Sequence, residues 1–298
     1  MSEKTMAFAE REYDYLVCTG TDAVDLLGRI STGDLRPLHK DMTTGLTAFT
    51  SNQGKMLDWC VAIQSSKGFL VRCSKGRGLK IKEWIEKYII MEDANVSDVS
   101  AHWKSYVVQG VTDPAVLGLS ALPQAGSLSM ANDTLYIPCL PGMDDYVEVA
   151  VEADKAEDLE NQFKANGLGA LDLEVLEHAR IMAGVPSPDY EFSKDINPLE
   201  LRLADTSICF DKGCYIGQEV IARMDSYDKT ARLLIGFECG QELALDSSMR
   251  LRCDGKSYGK VTSILNEDGA SIGLAIAQRD AFELDSVELT WEGGSAPV

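Results

Sequence analysis

The run Lys212-Gly213-Cys214-Tyr215-Ile216-Gly217-Gln218-Glu219 sets a thiol between a cation and a phenol. Cysteine chemistry belongs to the thiolate, and nearby cations favour that form. Lys212 precedes Cys214 by two residues and Arg223 follows it by nine. Gln218 and Glu219 add an amide and a carboxylate, groups that suit the edge of a heteroaromatic ring. The two glycines can bring the backbone close to a ligand or hold a positive φ. A structural turn whose cysteine merely packs is the plain alternative, because free cysteine is commonly buried and inert.

The elements around this run read as a strand over 207–210, a polar glycine turn, and a short helix beginning near Gly217. Val220, Ile221 and Met224 form the helix's buried side. Ligands often bind at such strand-to-helix turns. A second polar candidate, Asp58, closes Gly54-Lys55-Met56-Leu57-Asp58 on a strand over 56–64. A turn at 51–54 joins that strand to another over 47–49. Further strands are expected at 13–19, 68–74, 96–99, 105–109, 135–138 and 146–151. Helices are expected at 22–30, 78–88, 114–119, 155–166 and 171–182. On the 78–88 helix Leu79, Trp84, Ile85 and Tyr88 make the core stripe. Strands interspersed with helices and joined by hairpins give an α+β class. From Thr230 onward the pattern changes to short strands with turns at Asp254-Gly255 and Asp268-Gly269, an all-β barrel pattern. The expected division is an α+β body over 1–228 and a β-barrel over 229–298.

The composition, 45% hydrophobic and 25% charged over 298 residues, is that of a globular protein with room for two or three cores. Acids outnumber bases 47 to 28, for a net charge of −19. A field of that sign repels nucleic acid and anionic membranes, so direct binding to either is not expected. No run approaches the length of a membrane span. The opening residues lack a signal core and an arginine-rich transit character, so a cytoplasmic location is expected. None of the eight cysteines forms a CxxC or stands at zinc spacing from His39, His102 or His178. No metal is assigned from sequence. A metal cluster held by this chain alone would need ligands from distant segments.

The octapeptide at 212–219 resembles the signature of the YgfZ family, folate-binding proteins linked to iron–sulfur cluster assembly or repair. That family is related to the T-protein, the aminomethyltransferase of the glycine cleavage system. Residues 20–35, 50–58, 176–200 and 258–263 resemble further stations of the same family in the same order. The resemblance implies two interleaved ferredoxin-like subdomains and a C-terminal barrel. It also implies a tetrahydrofolate or related cofactor, iron–sulfur client or assembly proteins as partners, and Cys214 with Lys212 as the functional centre. Asp58, Arg180, Tyr215, Gln218, Glu219 and Arg223 are the implied folate contacts.

Two departures from the family pattern stand out. Where the family commonly carries R-I-E-A-G-[IV]-P, this chain reads Arg180-Ile181-Met182-Ala183-Gly184-Val185-Pro186. A thioether cannot accept the two donors that a carboxylate accepts, so weaker folate binding is expected. Where T-proteins usually carry two adjacent aspartates, this chain has Asp58-Trp59. The expectation is therefore a folate-binding accessory protein rather than a turnover enzyme. A folate-dependent aminomethyl or methyl transferase using Asp58 is the alternative. A thiol-redox protein centred on Cys214 is a third, weaker one, since no cysteine stands at CxxC spacing to resolve it.

Overall fold

The computed structural model describes residues 5–65, 68–193, 195–226, 230–284, 287–292 and 294–298. The chain forms two compact units. One comprises Met1–Ser51, Leu57–Leu173 and Thr206–Ile216, and the other Asn52–Met56, Glu174–Asp205 and Gly217–Val298. The boundary expected between residues 228 and 229 lies outside the described residues.

The first unit opens with β1 (Ala7–Glu10), β2 (Tyr13–Thr19), α1 (Ala23–Ile30), β3 (Thr43–Thr50), β4 (Met56–Ser65) and β5 (Gly68–Ser74). It continues through α2 (Gly78–Glu86), β6 (Asn95–Asp98), β7 (Trp103–Gln109), β8 (Ser129–Ala131) and β9 (Thr134–Pro138). It closes with β10 (Tyr146–Glu152), α3 (Ala156–Ala165) and β11 (Gly169–Ala170). One sheet has the order β3-β4-β5-β2-β6, the other β11-β1-β7-β10-β9-β8.

Strand alternation explains why β4 is apolar almost throughout. Its Cys60 and Ala62 face one way, with Leu16, Cys18, Val71 and Cys73, toward Leu26, Leu27 and Ile30 of α1 and Ile81 and Ile85 of α2. Val61 and Ile63 face the other way, with Tyr15 and Leu70, toward Leu135, Ile137 and Ala150 of the second sheet. A sheet buried on both faces needs apolar residues on both. Between the two sheets Arg72 Nε and Glu148 Oε2 lie 3.1 Å apart, both nearly buried. Tyr13 Oη donates to Glu148 at 3.0 Å. The outer face of the second sheet packs Tyr106, Val108 and Val149 against Leu159 and Phe163 of α3.

The second unit carries α4 (Leu173–Met182), α5 (Ala204–Ser207) and α6 (Gln218–Ser226), except that Leu173, Thr206 and Ser207 are counted in the first. Among the described residues after α6, the regular elements are one short 3-10 turn and the strands β12 (Arg232–Cys239), β13 (Arg250–Cys253), β14 (Lys256–Glu267), β15 (Ala270–Gln278), β16 (Glu288–Trp291) and β17 (Gly294–Pro297). They form one sheet in the order β12-β15-β14-β13-β16-β17. The Asp254-Gly255 and Asp268-Gly269 turns have φ of 48° and 76°, and of 51° and 81°. Two successive positive φ values are what a tight primed hairpin turn requires, and Asp-Gly is a preferred pair for it.

Three local expectations fail. The helix expected at 114–119 is only a 3-10 turn over Pro114–Leu117. Residues 207–210 are not a strand: α5 ends at Ser207 and the chain continues irregularly. Its backbone is tied to Thr32, with Thr32 Oγ1 donating to Ser207 O and Cys209 N donating to Thr32 O at 2.9 Å, and Trp59 Nε1 donates to Ser207 Oγ at 2.7 Å. On α2, Leu79 of the expected stripe is exposed, while Ile85 is buried together with Ile81 and with Trp84 and Tyr88 packed against the same core. Among the described residues no helix is long and apolar enough to cross a membrane.

Candidate functional site

The turn that carries Cys214 is fastened to the C-terminal end of α1. The last carbonyls of a helix have no partner within it and must find one elsewhere. Here Ser31 Oγ donates to Leu27 O at 2.8 Å. Lys212 Nζ donates to Gly28 O at 2.8 Å, Ser31 O at 2.6 Å and Gly33 O at 2.5 Å. Ile216 N donates to Arg29 O at 3.1 Å, and Thr50 Oγ1 donates to Ile216 O at 3.0 Å. An ammonium has three donors, and these three carbonyls take them all. A cation at this end also suits the helix dipole. Burial pulls the Lys212 ammonium down from its ordinary value, to about 8.

Cys214 is carried between these two anchors. It is exposed, whereas Cys18, Cys60, Cys73 and Cys239 are buried and Cys139, Cys209 and Cys253 are half-buried. Tyr215 beside it is buried, and Lys212 Nζ lies 4.8 Å from its ring centroid. Gly217 has φ of 85°, the left-handed conformation that lets the chain turn from Ile216 into α6. Gly213 has no such requirement. In α6 Ile221 is buried, Gln218 is half-buried, and Glu219 and Arg223 are exposed.

Asp58 lies inside the first unit with no exposed surface. Ser74 N donates to its Oδ2 at 2.8 Å and Ser74 Oγ to its Oδ1 at 2.6 Å. Cys60 Sγ is 3.4 Å from Oδ2, and 3.8 Å from Cys73 Sγ across the β4–β5 pairing. Burial pushes the Asp58 carboxyl up, against the pull of the Ser74 hydrogen bonds and the Arg77 guanidinium. Both carboxylate oxygens thus have a Ser74 donor.

Arg180 of α4 is also almost fully engaged. Its Nε and Nη2 bind Glu177 at 2.8 and 2.6 Å. Nη1 donates to Val185 O at 2.6 Å and Nη2 to Ser263 Oγ at 2.7 Å. Glu191, wholly buried, accepts from Ser263 Oγ at 2.7 Å and from Ser187 N at 2.7 Å. Arg180 thus ties the end of α4 to the 185–191 loop and to β14. Met182 ends α4 with 62% of its surface exposed. The sequence reading assigned Arg180 to ligand contact and did not foresee this network; the Ser263 hydroxyl lies 83 positions away.

No family model matches the chain. It is 36% identical over 126 residues to a chloroplastic protein of Arabidopsis thaliana provisionally named a transferase, a match spanning 41% of this chain and 28% of that relative. It is 24% identical to the aminomethyltransferase of Shouchella clausii over 91% of this chain and 78% of that one. The crystal structure of the glycine cleavage system aminomethyltransferase T from Bartonella henselae superposes with a TM-score of 0.82. The match covers 99% of this chain and 85% of that one at 17% identity. This chain therefore has the aminomethyltransferase fold.

Proposed function

We propose that this protein is a folate-binding accessory factor for iron–sulfur cluster assembly or repair, acting through Cys214. The presentation of that thiol carries the reading. Cys214 is exposed on a turn fastened on one side by the Lys212 side chain and on the other by the Ile216 backbone. An aminomethyl transfer has no need of such a thiol, whereas delivery or repair at an iron–sulfur protein does. In this reading Lys212 and Tyr215 position the turn, and the overall architecture is that of two ferredoxin-like subdomains followed by a C-terminal barrel.

The side chains of the second unit fit a reduced folate in part. Gln218 and Glu219, in the first turn of α6, offer an amide and a carboxylate for the amino-pyrimidine edge, and Arg223 offers a cation for the glutamate carboxylates. Met182 supplies no acceptor, and the buried Glu191 is held by Ser187 and Ser263. Bound folate supplies one-carbon carrier chemistry. The chain's own part is to bind and orient it. Calorimetric titration with tetrahydrofolate tests this reading. Met182→Glu is expected to tighten binding by roughly ten- to a hundredfold, the value of one charge-assisted paired contact. No folate binding by either form removes folate from the assignment.

The aminomethyltransferase relatives, matched over most of the chain, favour a second reading as a folate-dependent aminomethyl or methyl transferase. Transfer turnover that survives Cys214→Ala decides for it. In a deletion strain, loss of iron–sulfur enzyme activity that wild type restores and Cys214→Ala does not decides for the accessory factor.

A further inference from the structure

Asp58, Cys60 and Cys73 belong to two strands that sequence spacing does not connect, yet their carboxylate oxygen and two sulfurs lie within 4.8 Å of one another. Asp58 and Cys60 are two apart on β4 and share a face. Cys73 stands across from Cys60 on β5, by the register that pairs Val61 with Arg72. All three are buried under α1 and α2.

Two of the three ligand separations match a metal's coordination shell, and the third lies within 4.8 Å. A tetrahedron with Zn–S bonds of about 2.3 Å and a Zn–O bond of about 2.0 Å has a sulfur–sulfur edge of about 3.8 Å and a sulfur–oxygen edge of about 3.5 Å. The Cys60–Cys73 and Cys60–Asp58 separations are 3.8 and 3.4 Å. The carboxylate is also held as a metal-ligating carboxylate is held, by outer hydrogen bonds that fix its plane. Ser74 N and Ser74 Oγ each take one oxygen. Asp14, half-buried and opposite Cys73 in the β2–β5 register, is the next acid on this face.

We propose that Asp58, Cys60 and Cys73 form a site for one thiophilic divalent cation of the Zn2+ type. The site is separate from Cys214 and shares only Asp58 with the implied folate contacts. Two thiolates and a carboxylate suit zinc, where an all-oxygen set would suit magnesium or calcium. Thiol–carboxylate hydrogen bonding without a cation is the competing account of the same contacts.

Co2+ added to reduced, chelator-treated full-length protein separates the two. One equivalent is expected to give thiolate-to-cobalt charge-transfer absorption, displaced by Zn2+. Cys60→Ser and Cys73→Ser are expected to abolish it, Cys214→Ser to leave it, and Asp58→Asn to weaken binding about tenfold or more. Since the core serine variants can fail to fold, the urea midpoint of the wild-type protein is measured with and without Zn2+. A cation bound only by the folded state raises it. The absence of both the absorption and the shift in folded wild type overturns the proposal. So does an absorption that survives Cys60→Ser and is lost in Cys214→Ser.

Discussion

Cys214 and the Cys60–Cys73 pair are the same side chain in two opposite settings of one folded unit. Cys214 sits on a turn whose hydrogen bonds are taken up by the end of α1, so the thiol faces solvent. Cys60 and Cys73 stand side by side on adjacent strands of a sheet covered on both faces, with no exposed surface. Burial pushes the Cys60 thiol well up, and the neighbouring Cys18 to about 12. The contrast shows that the backbone's hydrogen bonding decides which thiol can react. A turn that borrows its partners from a helix end can hold a side chain outward. A strand inside a sheet covered on both faces cannot, and its thiols ionise only if something replaces the proton.

The largest test of this contrast is alkylation of the native protein followed by mass mapping. Cys214 is expected to react at least about a thousandfold faster than Cys60 or Cys73, because their modification awaits an opening of the sheet of roughly 4 kcal/mol or more. Labelling of Cys60 or Cys73 ahead of Cys214 would reverse the comparison. Next comes the anchor. Lys212→Met leaves the Gly28, Ser31 and Gly33 carbonyls without their donor. It is expected to destabilise the protein by about 1.5–3 kcal/mol, the range of a hydrogen bond to a charged group. Urea unfolding measures this, and an unchanged midpoint would mean that the turn does not depend on α1. Lys212→Arg should not restore full stability, since a planar fork cannot converge on three carbonyls as an ammonium does.

Much of the local structure was legible in the chain. The Asp-Gly turns could be placed because that pair tolerates two positive φ values, and α6 because apolar residues recur behind Gly217. Leu79 was misplaced because an isolated stripe at near-helical spacing does not reveal which of two adjacent faces the sheet will cover. The 207–210 segment misled for a different reason. Ile208, Cys209 and Phe210 carry a strand's composition, yet their backbone is used to hold Thr32. The roles of Lys212 and Arg180 were not legible at all. Their charge and motif position suggest chemistry, but each is saturated by partners that only the folded chain supplies, up to 184 positions away for Lys212. The Asp58–Cys60 spacing was visible; the arrival of Cys73 depends on the β4–β5 register.

A smaller change probes the buried side of the comparison. Ser74→Ala removes the hydroxyl that holds Asp58 Oδ1 while keeping the backbone donor to Oδ2. A buried acceptor that loses one partner costs about 1–2 kcal/mol. The loss should appear in urea unfolding without any change in the rate of Cys214 alkylation. A parallel change in that rate would mean that the two thiol environments are coupled.

The smallest expected effect is a pH dependence that belongs to Lys212. Its folded-state value of about 8 lies below that of an unfolded lysine, about 10.4. Between these two values the unfolded chain holds the proton and the folded chain has released it. Stability therefore rises with pH across this window, because the slope follows the protons bound in the unfolded state minus those bound in the folded state. Other groups, the cysteines above all, titrate in the same range, so the quantity to follow is the difference between wild type and Lys212→Met. From pH 7.5 to 10 that difference should grow in favour of wild type. A flat difference would mean that the three carbonyls hold the Lys212 proton as firmly as water does, making the anchor indifferent to pH. A falling difference would mean that they hold it more firmly, and that raising the pH releases the turn carrying Cys214.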